Sequence, residues 1–205
     1  MVRVSELAQR TGVAIPTLKY YLREGLLHPG ESESRTRASY DEGHVARVRL
    51  VRALVGVGGL GIEQVKEVVR ALEDPPATRH ELMGTAHAVL STGELPVDSR
   101  DEPLVAGLGW PVQPASPASR QVAAALGRAR AAGWDVGERA FRAWARGALV
   151  QARADVSRNL GTLSPSEALE FAILGTALTD PVILALRRLA QEAVSAERLG
   201  QLSTG

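Results

Sequence analysis

Cysteine is absent from the 205 residues. That single absence excludes disulfides, thiolate metal sites, cysteine nucleophiles and thiol redox sensing, and an intracellular home is its simplest fit. Aromatic residues are scarce, at 4% of the chain, so a core has to be built mainly from Leu, Val and Ala. Neither sign of charge prevails: 24 Lys and Arg stand against 23 Asp and Glu, for a formal net charge of +1. Total charge therefore neither favours nor excludes nucleic acid, and only its distribution can decide. No apolar run approaches the roughly 18 residues of a spanning helix. Met1-Val2-Arg3-Val4-Ser5 leads directly into a charged amphipathic pattern, unlike a signal segment. A cytoplasmic protein with no membrane partner is expected.

What is present is ordinary globular material, 45% hydrophobic and 23% charged, which excludes global disorder. The length suits two small domains better than one. Helical patterns break at Gly25 to Ser39, at Glu73 to Ala77 with Pro75-Pro76, and at Gly93 to Pro117, where prolines gather. Almost every other segment has a helical period, and the only plausible strands lie in the first break. The fold class expected is mainly α with one small β-hairpin.

Val4 to Arg23 reads as two short helices around a tight turn, with Leu7 and Ala8 inside, Gly12 at the bend, and Val13, Leu18 and Tyr21 completing a small core. Leu26-Leu27 and Ser39-Tyr40 can pair as short strands around a polar loop containing Gly30 and carrying Arg35 and Arg37. Asp41 then starts a helix with Val45, Val48, Val51 and Val55 inward, and Arg47, Arg49 and Arg52 on a solvated face. After Gly56 to Gly61 a fourth helix buries Ile62, Val65, Val69 and Leu72. Thr78-Arg79-His80-Glu81 is a capping box opening a helix with the stripe Leu82, Ala86, Val89 and Leu90, which Gly93 should stop.

The second half carries its own signals. Val122, Leu126 and Ala129 mark one helix face, and Phe141, Trp144, Ala148, Leu149, Ala152 and Val156 a longer one. Ser164-Pro165-Ser166-Glu167 is a capping box with proline in the first turn. Ala168 to Leu178 is apolar nearly all round, and Asp180-Pro181 reads as the cap of a further helix.

Several short motifs in uninterrupted order over about residues 1 to 72 resemble the MerR family: Val4-Ser5-Glu6-Leu7-Ala8, Thr11-Gly12-Val13, Leu18-Lys19-Tyr20-Tyr21, Gly25-Leu26-Leu27, Arg37 ahead of Ser39-Tyr40, and Gly61-Ile62-Glu63-Gln64-Val65. The resemblance implies a winged helix-turn-helix DNA-binding domain over 1–74, a dimerisation helix over 77–92 that is short for the family, a linker over 93–117, and an all-helical effector or dimerisation domain over 118–205. It implies a homodimeric transcriptional regulator that distorts promoter DNA so that RNA polymerase can engage it, with the second helix in the major groove and the wing on phosphates. Thr17, Lys19, Tyr20, Arg35 and Arg37 are the DNA-binding residues so implied. Their chemistry suits the role: the cations neutralise phosphate, the Tyr20 hydroxyl hydrogen-bonds to it, and Thr17 is short enough to reach a base edge.

The chain departs from the family pattern at Ala14, Pro16, Lys19 and Leu22, so the operator preference does not carry over. With no cysteine the metal-sensing branch is not expected. His80-Glu81 is followed by Gly84 where a zinc-protease pattern needs histidine, so neither a metal nor a cofactor is expected. Trp134, Trp144 and Phe171 are candidates to line a pocket for a small hydrophobic effector, the alternative being plain core and linker anchoring. No phosphate-binding glycine loop, metal cluster or nucleophile motif points to an enzyme. The competing reading within regulators is a ligand-independent architectural protein whose C-terminal domain only dimerises.

Overall fold

The computed structural model describes residues 1–34, 37–76, 78–91, 101–113, 116–156 and 162–200. In chain order they form α1 (Val4–Thr11), α2 (Ile15–Arg23), β1 (Glu31–Ser34), β2 (Arg37–Ser39), α3 (Glu42–Gly56), α4 (Ile62–Glu73), α5 (Arg79–Leu90), α6 (Glu102–Ala106), α7 (Pro117–Ala131), α8 (Glu138–Asp155) and α9 (Pro165–Gly200). Among the described residues the fold is thus mainly helical with one two-stranded antiparallel hairpin. Two compact units divide it: Met1–Val69 with Leu174–Gly205, and Arg70–Ile173.

In the first unit, Leu7, Leu18, Leu26, Leu27, Val45, Val48, Val51, Leu54 and Val65 are essentially removed from water. Each such side chain contributes roughly 1.5–3 kcal/mol of transfer free energy, and α1 packs against both α2 and α3. The α3 face is as expected for Val45, Val48 and Val51, with Leu54 at its end in place of the half-buried Val55. Gly58 lies where a Cβ would meet the Leu54 carbonyl at 2.7 Å and Ala177 of α9 at 3.3 Å, so the α3–α4 turn requires glycine there.

The strands are not where the sequence reading put them. Leu26 and Leu27 donate their amides to the Tyr21 carbonyl at 2.9 and 3.3 Å. Gly25 takes φ 72°, and both leucines belong to the turn closing α2. Their amides are spent, and Pro29 has none to donate. The hairpin instead pairs Glu31 with Ser39 and Ser32 with Ala38, across a bulge, and Ser34 with Arg37. Tyr40 bridges back to Val2, with amide–carbonyl distances of 2.6 and 2.8 Å, tying the N-terminus to the base of the hairpin.

In the second unit α7 contacts both α5 and α6. Its buried positions are Ser119, Ala123, Ala124 and Leu126; of the expected face, Leu126 is buried, Ala129 half-buried and Val122 exposed, so the inward face is turned from the one expected. The phase is set by Arg130, which forms a two-point ion pair with Asp101, a carboxylate only 1% exposed. Residues 101–113, inside the stretch read as a linker, are therefore folded against α7. On α8, Phe141 of the expected face is buried, as is Ala145 outside it, while Trp144 and Val156 are exposed.

At α9 the expected capping box is present: Ser164 donates its amide to the Glu167 carboxylate at 2.9 Å and accepts the Glu167 amide at 3.4 Å. Asp180-Pro181, however, does not start a new helix; Pro181 lies inside α9. Proline removes one amide donor from a helix, a local defect, and the Thr179 hydroxyl adds a bond to the Gly175 carbonyl in the preceding turn. Joined through that point, Pro165–Leu199 is long and apolar enough to cross a membrane by length and composition, with a mean hydropathy of 1.7 over 18 residues and 22% of that window buried. The sequence reading found no such run because it split the helix at Asp180-Pro181.

Removing one partner of the Asp101–Arg130 pair leaves a buried carboxylate uncompensated. Arg130→Ala should lower unfolding free energy by about 3 kcal/mol, read as a shift of the urea midpoint at constant slope. A midpoint equal to that of the parent would show that the pair holds nothing in place.

Candidate nucleic-acid interface

The first two helices are joined by a turn with little freedom. Gly12 takes φ 65°, and its amide bonds to the Ala8 carbonyl. The Thr11 hydroxyl donates to the Leu7 carbonyl at 2.7 Å. Arg52 of α3 donates its guanidinium to the Thr11 carbonyl at 2.8 Å, and a Cβ on Gly12 would meet that guanidinium at 3.4 Å. Arg52 is thus not simply part of a solvated face with Arg49: it clamps the turn. Nothing local in the sequence could assign this, because Arg52 is 41 positions from Thr11.

Helix α2 starts from Ala14 in extended conformation, without a side-chain cap, and holds Pro16 in its first turn. Leu18 and Tyr21 are buried, at 0% and 7% exposure, which settles Tyr21 as core. The 3.6-residue period then turns Thr17, Lys19, Tyr20 and Arg23 to the other side. Lys19 and Arg23 are exposed, and Thr17 and Tyr20 are half-buried. Arg23 lies over the Tyr20 ring, 5.1 Å from its centroid, and so holds the phenol from one side. The sequence reading passed over Arg23, although its i,i+3 spacing from Tyr20 was the available signal.

Of the expected wing residues, Arg37 opens β2, paired with Ser34, while Arg35 lies outside the described residues. Gly30 at the base of the hairpin admits no side chain: a Cβ there would come within 2.5 Å of the Ser39 carbonyl. Two other cations near these helices are engaged. Arg10 pairs with Glu42 at 2.6 Å, and Lys66 with both Glu24 and Glu63 at 2.9 Å. These pairs hold the Glu42 and Glu24 carboxyls below the ordinary range and push Lys66 and Arg10 up.

Asp41 caps α3, accepting the His44 amide at 3.1 Å, and its Oδ1 lies 2.6 Å from His44 Nδ1. The hydrogen bonds from His44, side chain first and backbone second, hold the Asp41 carboxyl below its usual range. His28, Asp41 and His44 bring potential ligand atoms within 4.8 Å of one another. The His28 and His44 rings are stacked, however, with centroids 3.9 Å apart and planes 29° from parallel. Lone pairs in nearly parallel planes do not converge on one ion, so the trio is shaped as a stack on a helix cap. It forms no cation cage as it stands.

The effector candidates are all on the surface: Trp134 in the turn after α7 is 71% exposed, and Trp144 on α8 and Phe171 on α9 are each 49% exposed. None of the three is buried.

Residues 2–72 match the model of a family described as MerR HTH family regulatory protein. A solved structure of a transcriptional regulator from Streptomyces coelicolor A3(2) is similar at 33% identity, over 96% of this chain and 97% of that one, with a TM-score of 0.68. A transcription regulator from Ralstonia metallidurans CH34, solved in complex with lead(II), is 22% identical over 43% of this chain and 67% of that one, with a TM-score of 0.38. No curated protein matches the chain.

Asp41, Glu24 and Glu42 all have carboxyl pKa values depressed by folding. The unfolded chain takes up protons at these sites before the folded chain does, so their contribution is complete above the ordinary carboxylate value of about 4 and is lost as pH falls through the depressed values. Stability of the parent should fall as pH drops below about 4. Asp41→Asn should be less stable at neutral pH and show a shallower acid fall. Parallel pH–stability curves for the two proteins would remove Asp41 as a contributor.

Proposed function

Because the chain belongs to the MerR family of helix-turn-helix regulatory proteins, and is a transcriptional regulator, we propose that it binds promoter DNA as a homodimer, with α2 in the major groove. The observation that carries this reading is the division of α2: Leu18 and Tyr21 are consumed by the core while Lys19, Tyr20 and Arg23 face outward. In a helix-turn-helix the second helix reads base edges, and flanking elements hold the backbone. Thr17 and Lys19 are assigned to the groove, Tyr20 to a phosphate, and Arg35 and Arg37 of the hairpin to phosphates beside it. Two-fold pairing would place two such helices on a two-fold operator.

The energetic role follows from DNA mechanics. Bending or untwisting a promoter costs roughly 1–6 kcal/mol, which the protein's contacts offset. The distorted promoter is then one that RNA polymerase can engage. We assign the protein to the cytoplasm, where such DNA lies, and to regulation rather than catalysis. The exposure of Trp134, Trp144 and Phe171 favours, as second reading, an architectural regulator that needs no small hydrophobic effector. A library screen by thermal shift separates the two, because a ligand selective for the folded state raises the midpoint.

Gripping and reading are separable by salt. Arg37→Ala should weaken binding to operator and scrambled duplexes alike and lower the salt slope by about one counterion. Tyr20→Phe should weaken both without that change. Lys19→Ala should cost about 1–3 kcal/mol on the operator and less on random DNA. Titrations at several salt concentrations, on an operator located by footprinting around the protein's own gene, make the comparison. If Arg37→Ala leaves both affinity and slope unchanged, the hairpin is not part of the binding surface.

A further inference from the structure

Two opposite charges close α2: Arg23 is its last residue and Glu24 its C-cap. An acid at that place is adverse twice over. The carbonyl pole of a helix disfavours negative charge, and a carboxylate beside side chains that face DNA repels phosphate and competes with it for arginine. Lys66 of α4 answers both. Its ammonium lies 2.9 Å from Glu24 Oε2 and 2.9 Å from Glu63 Oε1, on a side chain only 22% exposed. Arg23 meets the other oxygen, Glu24 Oε1, through Nε at 3.4 Å, beyond the roughly 2.7–2.9 Å of a charge-assisted hydrogen bond. The hydrogen bond from Lys66 is accordingly the largest influence holding the Glu24 carboxyl below its ordinary range, with that from Arg23 behind it.

The Arg23 side chain is 71% exposed, with its guanidinium over the Tyr20 ring. A guanidinium placed on an aromatic face keeps N–H groups at its edge for an acceptor. We propose that Arg23 is a further phosphate-binding residue beside Tyr20, and that Lys66 is a positioning residue which keeps Arg23 available by occupying Glu24. The inference rests on the reading of α2 as the helix that faces DNA, and adds to it a contact and the control of that contact.

A carboxylate holds arginine best with both oxygens, in two parallel hydrogen bonds. With Lys66 on Oε2 that arrangement is blocked, and the exposed one-point pair that remains contributes little. A phosphate offers the fork two oxygens, so the guanidinium gains by the exchange. Taking Lys66 away reverses the balance: Glu24 regains both oxygens for Arg23, and the cation is drawn into a local pair. Position along the helix selects phosphate over bases, because a recognition helix reads base edges from its N-terminal residues and Arg23 stands at the other end. Lys66 itself is half-buried between two carboxylates, so its effect on DNA passes through Glu24.

Titrations of the full chain on operator and scrambled duplexes at several salt concentrations test the proposal with Arg23→Gln, Lys66→Met, Lys66→Met/Glu24→Gln and Arg23→Gln/Lys66→Met, folding being checked by circular dichroism. Arg23→Gln should weaken binding to both duplexes alike, about tenfold, and lower the salt slope by about one counterion. Lys66→Met should do the same, and Glu24→Gln added to it should restore the slope and most of the affinity. Arg23→Gln/Lys66→Met should bind no more weakly than Arg23→Gln, because the lysine acts only through the arginine. Additive losses in that variant, or no rescue by Glu24→Gln, make Lys66 a plain structural tie or a direct contact and overturn the proposal. A loss confined to the operator makes Arg23 a base contact and overturns the phosphate assignment. If the parent binds DNA and Arg23→Gln matches it, this proposal alone fails; a parent that binds no duplex removes the DNA reading and the proposal with it.

Discussion

The turn between α1 and α2 is the constraint from which the outward chemistry of the N-terminal unit follows. Gly12 in the left-handed region reverses the chain in the space of three residues, and the amide and hydroxyl bonds of Gly12 and Thr11 close the end of α1. Arg52 then fastens the turn to α3. With the crossing angle so set, Leu18 and Tyr21 can enter the core only if Lys19, Tyr20 and Arg23 leave it. A side chain at Gly12 would be strained by its φ and crowded by the guanidinium, and the whole outward face of α2 would turn with the resulting shift.

The hairpin depends on a second set of local constraints. Its strands are polar, so no hydrophobic face pins their register. Position comes instead from the ends: the tight approach at Gly30, the Val2–Tyr40 bridge, and the Asp41 cap that starts α3 immediately afterwards. His44 lies under this junction, stacked on His28 and edge-on to Tyr40 with centroids 5.0 Å apart. The junction joins the base of the hairpin to the helix that also anchors the α1–α2 turn, so the two parts assigned to DNA share one support.

The C-terminal half is organised by a different interaction. Asp101, almost wholly removed from water, is paired with Arg130, and the pair fixes which face of α7 turns inward. Helix α9 contributes to both units, with its first turns buried through Leu169 and Ile173 and its later turns bearing apolar side chains toward solvent.

Signals that act within a turn or two of chain were legible from residue order: Gly12 at its bend, the caps of Asp41, Thr78 and Ser164, the inward Leu18 and Tyr21 of α2, Val45, Val48 and Val51 of α3 and Val65, Val69 and Leu72 of α4, and a family likeness running without interruption from residue 2 to 72. They are legible because steric limits on φ, hydrogen-bond completion at helix ends and a 3.6-residue period are properties of a short segment alone. What required tertiary structure was the choice among locally equivalent options. Leu26-Leu27 has strand character, but its amides were claimed by Tyr21; Arg52 and Arg49 look alike until one of them meets Thr11; α7 has two apolar faces until Asp101 selects one. Asp180-Pro181 is a sound start signal that a helix already propagating through it overrode. In each case the deciding partner lies outside the segment, and a pattern confined to neighbouring residues carries no information about a contact that only the folded chain creates.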